Sequence, residues 1–277
     1  MDVVELLRKY APSLRAERVV VIESGWDSIV YEIDGAWIFR FPRRAEVADR
    51  MRTEAAVLPE LAPTLPAPVP DFDFAVFDDV SFVGYRKLAG EPLEHGFDNP
   101  EVGRRLGAFI AAVHRFPIDR ARALGVRAGD VVAEIRAFVD TLEERVVPLL
   151  AETDAARADS MFEDFFAGDV AFEPVLVHAD LGPEHVLRRG SELTGVLDWS
   201  DARIGDPALD LAWTANGTGP RFADALLRAY GGAHAALRER ALFYHRLGPW
   251  HEVLFGLKHD RPELVESGLE GVRFRLP

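Results

Sequence analysis

Five short runs rich in β-branched and aromatic residues crowd into the first 90 residues, and nearly everything after them carries the period of a helix. The runs AERVVVIES (16–24), SIVYEI (28–33), AWIFRF (36–41), FDFAVF (72–77) and SFVGYRKL (81–88) read as strands. Asp34-Gly35 is a hairpin signal between the second and the third. One helix interrupts them over 45–61, where Val47, Met51, Val57, Leu58 and Leu61 share a side and the charges take another. Pro63, Pro66, Pro68 and Pro70 then break the pattern. Past Ala89-Gly90-Glu91-Pro92, helices fit residues 99–115, 130–150, 155–167, 208–212, 221–230, 237–259 and 262–272, with short strands near 174–177, 186–188 and 194–197. The chain is predicted to be α+β and bilobal: a five-stranded lobe with one helix over residues 1–90, and a mainly helical lobe over 91–277. Two unlike lobes on a short linker enclose a cleft, a common place for a ligand.

Charge narrows what that cleft can take. Lys and Arg total 32 against 46 Asp and Glu, a formal charge of -14. A broad basic face for nucleic acid is excluded, while a cationic ligand would be attracted. The imbalance is greater in the larger lobe, with 21 basic and 31 acidic side chains against 11 and 15 up to Gly90. No apolar run is long enough to cross a bilayer, and MDVVELLRKY is too acidic for a signal peptide, so a cytoplasmic protein without membrane partners is expected. With no cysteine, disulfides, thiolate metal sites and a thiol nucleophile are ruled out.

The chemistry concentrates between Val175 and Asp198. His178-Ala179-Asp180 follows an apolar strand, His185 comes five residues later, and a second short strand ends in Leu197-Asp198-Trp199. A lone Asp more often caps a turn or a helix. Two strand ends side by side would instead bring Asp180, His185 and Asp198 together. One carboxylate could then align or deprotonate a hydroxyl, while the imidazole and the second carboxylate hold a divalent metal. Phosphoryl transfer makes these demands, because positioning and charge neutralisation carry most of its catalysis.

VLVHADLGPEHVL followed by LTGVLDWSDARIGDPALDLAW resembles the aminoglycoside phosphotransferase family, which has a protein-kinase-like fold. That family brackets its active site with His-x-Asp-x-x-x-x-Asn and a later Asp after a hydrophobic strand. His185 stands where Asn is commonest, a departure shared by the aminoglycoside 2″-phosphotransferases and the macrolide phosphotransferases. GWDSIVYEIDGAWIFRFPRRAEV is similar to both groups, so the resemblance spans nearly the whole chain.

The resemblance implies roles. Asp180 would be the catalytic base or the group that orients the acceptor hydroxyl. His185 and Asp198 would bind Mg2+, with part of the imidazole's coordination passing through water because nitrogen is a softer ligand than magnesium prefers. Asp206 and Asp210 would brace the catalytic loop. ATP or GTP would lie in the N-terminal lobe, its phosphates covered by the turn around Gly25 and by the Ser28 hydroxyl. Arg40 would take the place of the kinase lysine, with Glu54 as its ion-pair partner and Ile38 against the base. Tyr85, Arg86 and Leu88 would belong to the hinge that reads the purine. Asp201, Trp250, His251, Glu252 and Asp260 would meet the acceptor, expected to be an aminoglycoside on grounds of charge, with antibiotic resistance as the outcome. A macrolide 2′-phosphotransferase and a metabolic small-molecule kinase are the alternatives. A catalytically dead nucleotide-binding module would need a lost carboxylate, and both Asp180 and Asp198 are present.

Overall fold

The computed structural model describes residues 3–22 and 27–277. Strands β1 (Val19–Ile22), β2 (Ser28–Ile33), β3 (Trp37–Pro42), β4 (Phe72–Phe77) and β5 (Ser81–Arg86) form one antiparallel sheet in the order β1-β2-β3-β5-β4. Alternation divides each strand between two faces. Trp37, Phe39 and Phe41 join Ile33 and Phe82 in an apolar cluster that is closed by Val3 and Leu7 of helix α1 (Val3–Tyr10). Sequence reading assigned no helix there. The opposite face carries Ser28, Ile38 and Arg40, and against it runs α2 (Ala45–Leu61) with the expected boundaries. Val47, Met51, Val57, Leu58 and Leu61 are buried as its periodicity predicts, and Glu54 is buried with them.

The remaining chain is mainly helical. It comprises β6 (Glu91–Pro92), α3 (Pro100–His114), α4 (Ile118–Ala123), α5 (Val131–Arg145), α6 (Glu152–Ala167), β7 (Val175–Val177), β8 (Val186–Arg189), β9 (Glu192–Val196), β10 (Arg203–Gly205), α7 (Ala208–Asn216), α8 (Pro220–Tyr230), α9 (Ala235–His259) and α10 (Pro262–Arg275). Two small antiparallel sheets, β6-β8-β9 and β7-β10, frame the segment rich in His and Asp. The single helix expected over 130–150 stops at Arg145 and gives way to a tighter turn at Val147–Leu149, where Pro148 supplies no N–H. The elements β6, β10 and α4 span two to six residues, too few for periodicity to show. No described helix is long and apolar enough to cross a membrane.

Helices α3 and α8 touch through backbone. A Cβ added to Gly103 would lie 2.4 Å from the Phe222 carbonyl oxygen, and one on Gly107 would lie 2.2 Å from that of Leu226. Neither helix can retreat without opening the core shared by Leu106, Phe109, Phe222 and Leu226. Gly107→Ala is therefore expected to destabilise the protein by about 1–3 kcal/mol, the usual cost of overpacking. Chemical denaturation checks this, and an unchanged midpoint would contradict the close approach.

Candidate active site

Strand β7 ends at His178, which is buried. His178 Nε2–H donates to the Leu197 carbonyl at 2.8 Å, and its Nδ1 accepts from the Asp180 N–H at 3.3 Å. Both ring nitrogens are satisfied by a neutral imidazole. The next residue, Ala179, has φ 69°, a left-handed conformation unfavourable for a residue with a Cβ. A clamp holds it there. The N–H groups of His178 and Ala179 donate to Asp210 Oδ2 and Oδ1 at 3.0 and 2.8 Å, and His114 Nε2 reaches the same carboxylate at 3.0 Å. Burial would push the Asp210 pKa up, but these donors and the nearby His114 and His178 hold it below the usual carboxylate range. Asp206 accepts instead from Arg240 at 2.6 and 3.1 Å and from Tyr244 at 2.9 Å, tying α9 to the turn before α7.

Asp180 turns its side chain into the cleft, 58% exposed. Enclosure by the surrounding protein, with the like charges of Asp201 and Asp198, holds its carboxyl above the usual range. His185 Nδ1 lies 2.7 Å from the Asp180 carbonyl oxygen, which can only accept. That bond places the proton on Nδ1 and leaves the Nε2 lone pair free, 4.0 Å from Asp198 Oδ2. Asp198, at φ 57°, accepts from Arg40 Nη2 at 2.7 Å and from Ser200 Oγ at 2.9 Å, both through Oδ1. Burial opposes ionisation of Asp198, yet Arg40 and the Ser200 hydroxyl hold it well below the usual carboxylate range.

The donor set suits magnesium. Among the described residues no cluster of three or more His, Cys, Asp or Glu side chains forms a metal cage. Magnesium does not need one, since it commonly takes one or two protein ligands and fills its octahedron with water and phosphate oxygens. Ligands about 2.1 Å from one ion lie up to about 4.2 Å apart, so the spacing of His185 Nε2 and Asp198 Oδ2 is compatible with a shared ion.

Arg40 joins the five-stranded sheet to this cluster. Its Nη1 donates to Glu54 Oε1 and Oε2 at 2.9 and 3.2 Å, while Glu54 Oε1 also accepts the Trp199 N–H at 3.3 Å. On the same face Ser28 is buried, and its hydroxyl has no hydrogen-bond partner among the described residues. Ile38 sits opposite Tyr85 across the β3–β5 pair, and both are buried. Leu88 reaches down to β9, where a Cβ on Gly195 would lie 2.7 Å from it. The Arg86 side chain turns the other way and lies 3.9 Å over the Trp37 ring, so only its backbone faces the cleft. Gly25 lies outside the described residues.

Of the residues expected at the acceptor, His251 lines a cavity beside Asp180 and the others do not join it. Trp250 is 1% exposed and packs against Phe162 at 5.5 Å in the core. Glu252 accepts from Ser267 Oγ of α10 at 2.7 Å. Asp260 lies in a groove between α9 and α10 with Gly256 and Arg261. Asp201 is near Asp180, but Arg50 donates to it and Arg127 approaches to 3.8 Å. The cavity beside Asp180 measures about 440 Å³, with Phe138, Leu181, Leu209, Trp213 and Leu247 in its walls. Glu134 and Arg203 also line it, joined by two hydrogen bonds of 2.6 and 2.9 Å. These seven residues, and Arg50, were not singled out in the sequence because they come from α2, α5, α7, α9, β10 and the loop after β7, and only the fold brings them together.

Residues 18–243 match the model of the family described as APH, phosphotransferase enzyme family. Viomycin phosphotransferase of Streptomyces vinaceus is 25% identical, over 97% of this chain and 97% of its own. Among solved structures, the GDP and kanamycin complex of APH(2″)-IIIa superposes with a TM-score of 0.90 at 24% identity, covering 99% of this chain and 97% of that one. Macrolide 2′-phosphotransferase type I superposes with a TM-score of 0.74 at 26% identity, covering 97% and 96%. The likeness establishes the kinase-like fold.

Proposed function

Because the chain belongs to the phosphotransferase enzyme family and is a kinase, we propose that it moves the γ-phosphoryl group of ATP or GTP onto a hydroxyl of a small molecule held beside Asp180. The observation that carries this reading is the meeting of Asp180, His185, Asp198 and Arg40 around one cleft. In it, residues 1–90 form the nucleotide lobe and 91–277 the lobe that carries the catalytic loop and the acceptor. The purine lies between Ile38 and Leu88, beside the backbone of Tyr85 and Arg86. Ser28, Gly25 and Arg40 meet the phosphates, with Glu54 fixing the guanidinium.

Asp180 takes the proton of the acceptor hydroxyl as that oxygen bonds to the γ-phosphorus and the bond to the β-bridging oxygen breaks. His185 Nε2 and Asp198 Oδ2 would hold Mg2+, which supplies charge neutralisation for the phosphate oxygens. Arg40 leaves Asp198 Oδ1 to meet the charge that develops on the leaving diphosphate.

The relatives carry antibiotics in their names, and an antibiotic acceptor with resistance as the outcome is the finer reading. Excess acid in the chain supports an aminoglycoside. The apolar cavity wall supports a macrolide, whose lactone ring gains from burial. Calorimetric titration of ADP tests the metal assignment. Asp198→Ala is expected to remove most of the magnesium-dependent affinity and His185→Ala less, because a carboxylate oxygen is the harder ligand. Equal affinities in wild type and both variants, indifferent to magnesium, would contradict it.

A further inference from the structure

Proline 249 interrupts α9, and having no N–H it leaves the carbonyl of His245, four residues earlier, without its helical donor. Arg275, at the end of α10, replaces that donor: its Nη1 donates to the His245 oxygen at 2.6 Å. Gly248 makes the room, since a Cβ there would lie 2.9 Å from the same nitrogen. The guanidinium is thus held in place by one N–H and keeps the others for further partners.

Arg275 lines the cavity beside Asp180, and among the described residues no carboxylate lies within 4.0 Å of it. The other arginine of the cavity, Arg203, is neutralised by Glu134. Around Arg275 the charge is positive. Burial pushes His245 down to about 4, and Arg275, His95 and Arg246 push it the same way. Such a cationic end is unexpected in a chain of charge -14, and it is the opposite of what a polyamine would require.

We propose that Arg275 receives an anionic group of the acceptor, and that the acceptor is an apolar-bodied hydroxy acid rather than a polycation. This rests on the phosphotransferase reading and puts a hydroxy acid in place of the antibiotic acceptors. The cavity then divides the work. Phe138, Leu209 and Trp213 cover the apolar body, Arg275 fixes the acid, and the hydroxyl is left for Asp180. Asp180 repels an anion placed beside it, whereas the guanidinium of Arg275 attracts one.

Benzoate, benzyl alcohol and benzylamine share a ring and differ in charge, so their binding tests the proposal directly. Ligand-observed NMR titrations would be run on the full chain with saturating ADP, so that the nucleotide phosphates do not compete. Benzoate is expected to bind about tenfold or more tightly than the other two, the range of a charge-assisted hydrogen bond. Arg275→Gln should abolish that preference, and Arg275→Lys should keep part of it. Glutamine can still donate to the His245 carbonyl, and the wild-type comparison stands whether or not the variant folds. Benzylamine binding as well as benzoate, no benzoate binding, or a preference that survives Arg275→Gln would overturn the proposal. Binding is read without turnover, so its failure is separate from failure of phosphoryl transfer, which is judged by product formation.

Discussion

Asp180→Ala is expected to lower kcat by about 10²–10⁴, the contribution of one positioned general base, and to leave nucleotide affinity nearly unchanged. Asp180 lines the cavity proposed for the acceptor, while Arg40 and Asp198, bonded to each other, stand on the side proposed for the nucleotide. The pH profile follows from the raised Asp180 pKa. The base works deprotonated, so kcat/KM should fall as pH drops through that pKa, above the usual carboxylate range near 3.9. The same shift has a stability consequence. A carboxyl whose pKa is higher folded than unfolded favours the fold only at low pH and weakens it once ionised. Asp180→Ala should therefore melt no lower than wild type at neutral pH. Steady-state kinetics and thermal denaturation measure both effects. Near-normal turnover in the folded variant would contradict the assigned role.

Asp206→Ala is expected to cost about 3–5 kcal/mol of stability, because it leaves a buried guanidinium unpaired. The Arg240 and Asp206 side chains are 3% and 0% exposed, so little solvent screening reduces the effect. Tyr244 also loses its acceptor. Replacing both partners, in Asp206→Ala with Arg240→Leu, should recover part of the loss by removing the orphaned charge. Urea denaturation measures both variants, and a loss below about 1 kcal/mol, the scale of a surface pair, would show that water reaches Arg240.

Local pattern made some of this legible in advance. The five strands and α2 could be read because alternation and a 3.6-residue period are written over six or more consecutive residues for most of them. Asp180, His185 and Asp198 stood out because both strand ends that carry them lie within one 24-residue segment. Arg40 and Glu54 followed from the resemblance to a kinase-like fold, whereas the bond from Arg40 to Asp198 spans 158 residues and had no local sign. The acceptor side was misread for a related reason. Helix α9 is buried at Leu237, Ala241, Tyr244, Trp250 and Val253, positions that circle its axis, so sequence order does not reveal which face meets the cleft. Packing against Phe162 turns Trp250 inward, and α10 takes Glu252, while His245 and His251 line the cavity. Gly248 and Pro249 lie inside the helix read over 237–259, and their use shows only in the contact with Arg275 of the C-terminal helix.

Phosphorus NMR of reaction mixtures tests the central claim most directly. Wild type and Asp180→Ala would be incubated with Mg2+, ATP or GTP, and a panel of kanamycin, erythromycin and aromatic hydroxy acids. The predicted result is a phosphomonoester on an acceptor hydroxyl, formed by wild type together with one equivalent of nucleoside diphosphate and nearly absent with Asp180→Ala. Release of inorganic phosphate alone, or equal ester formation by both proteins, would contradict it.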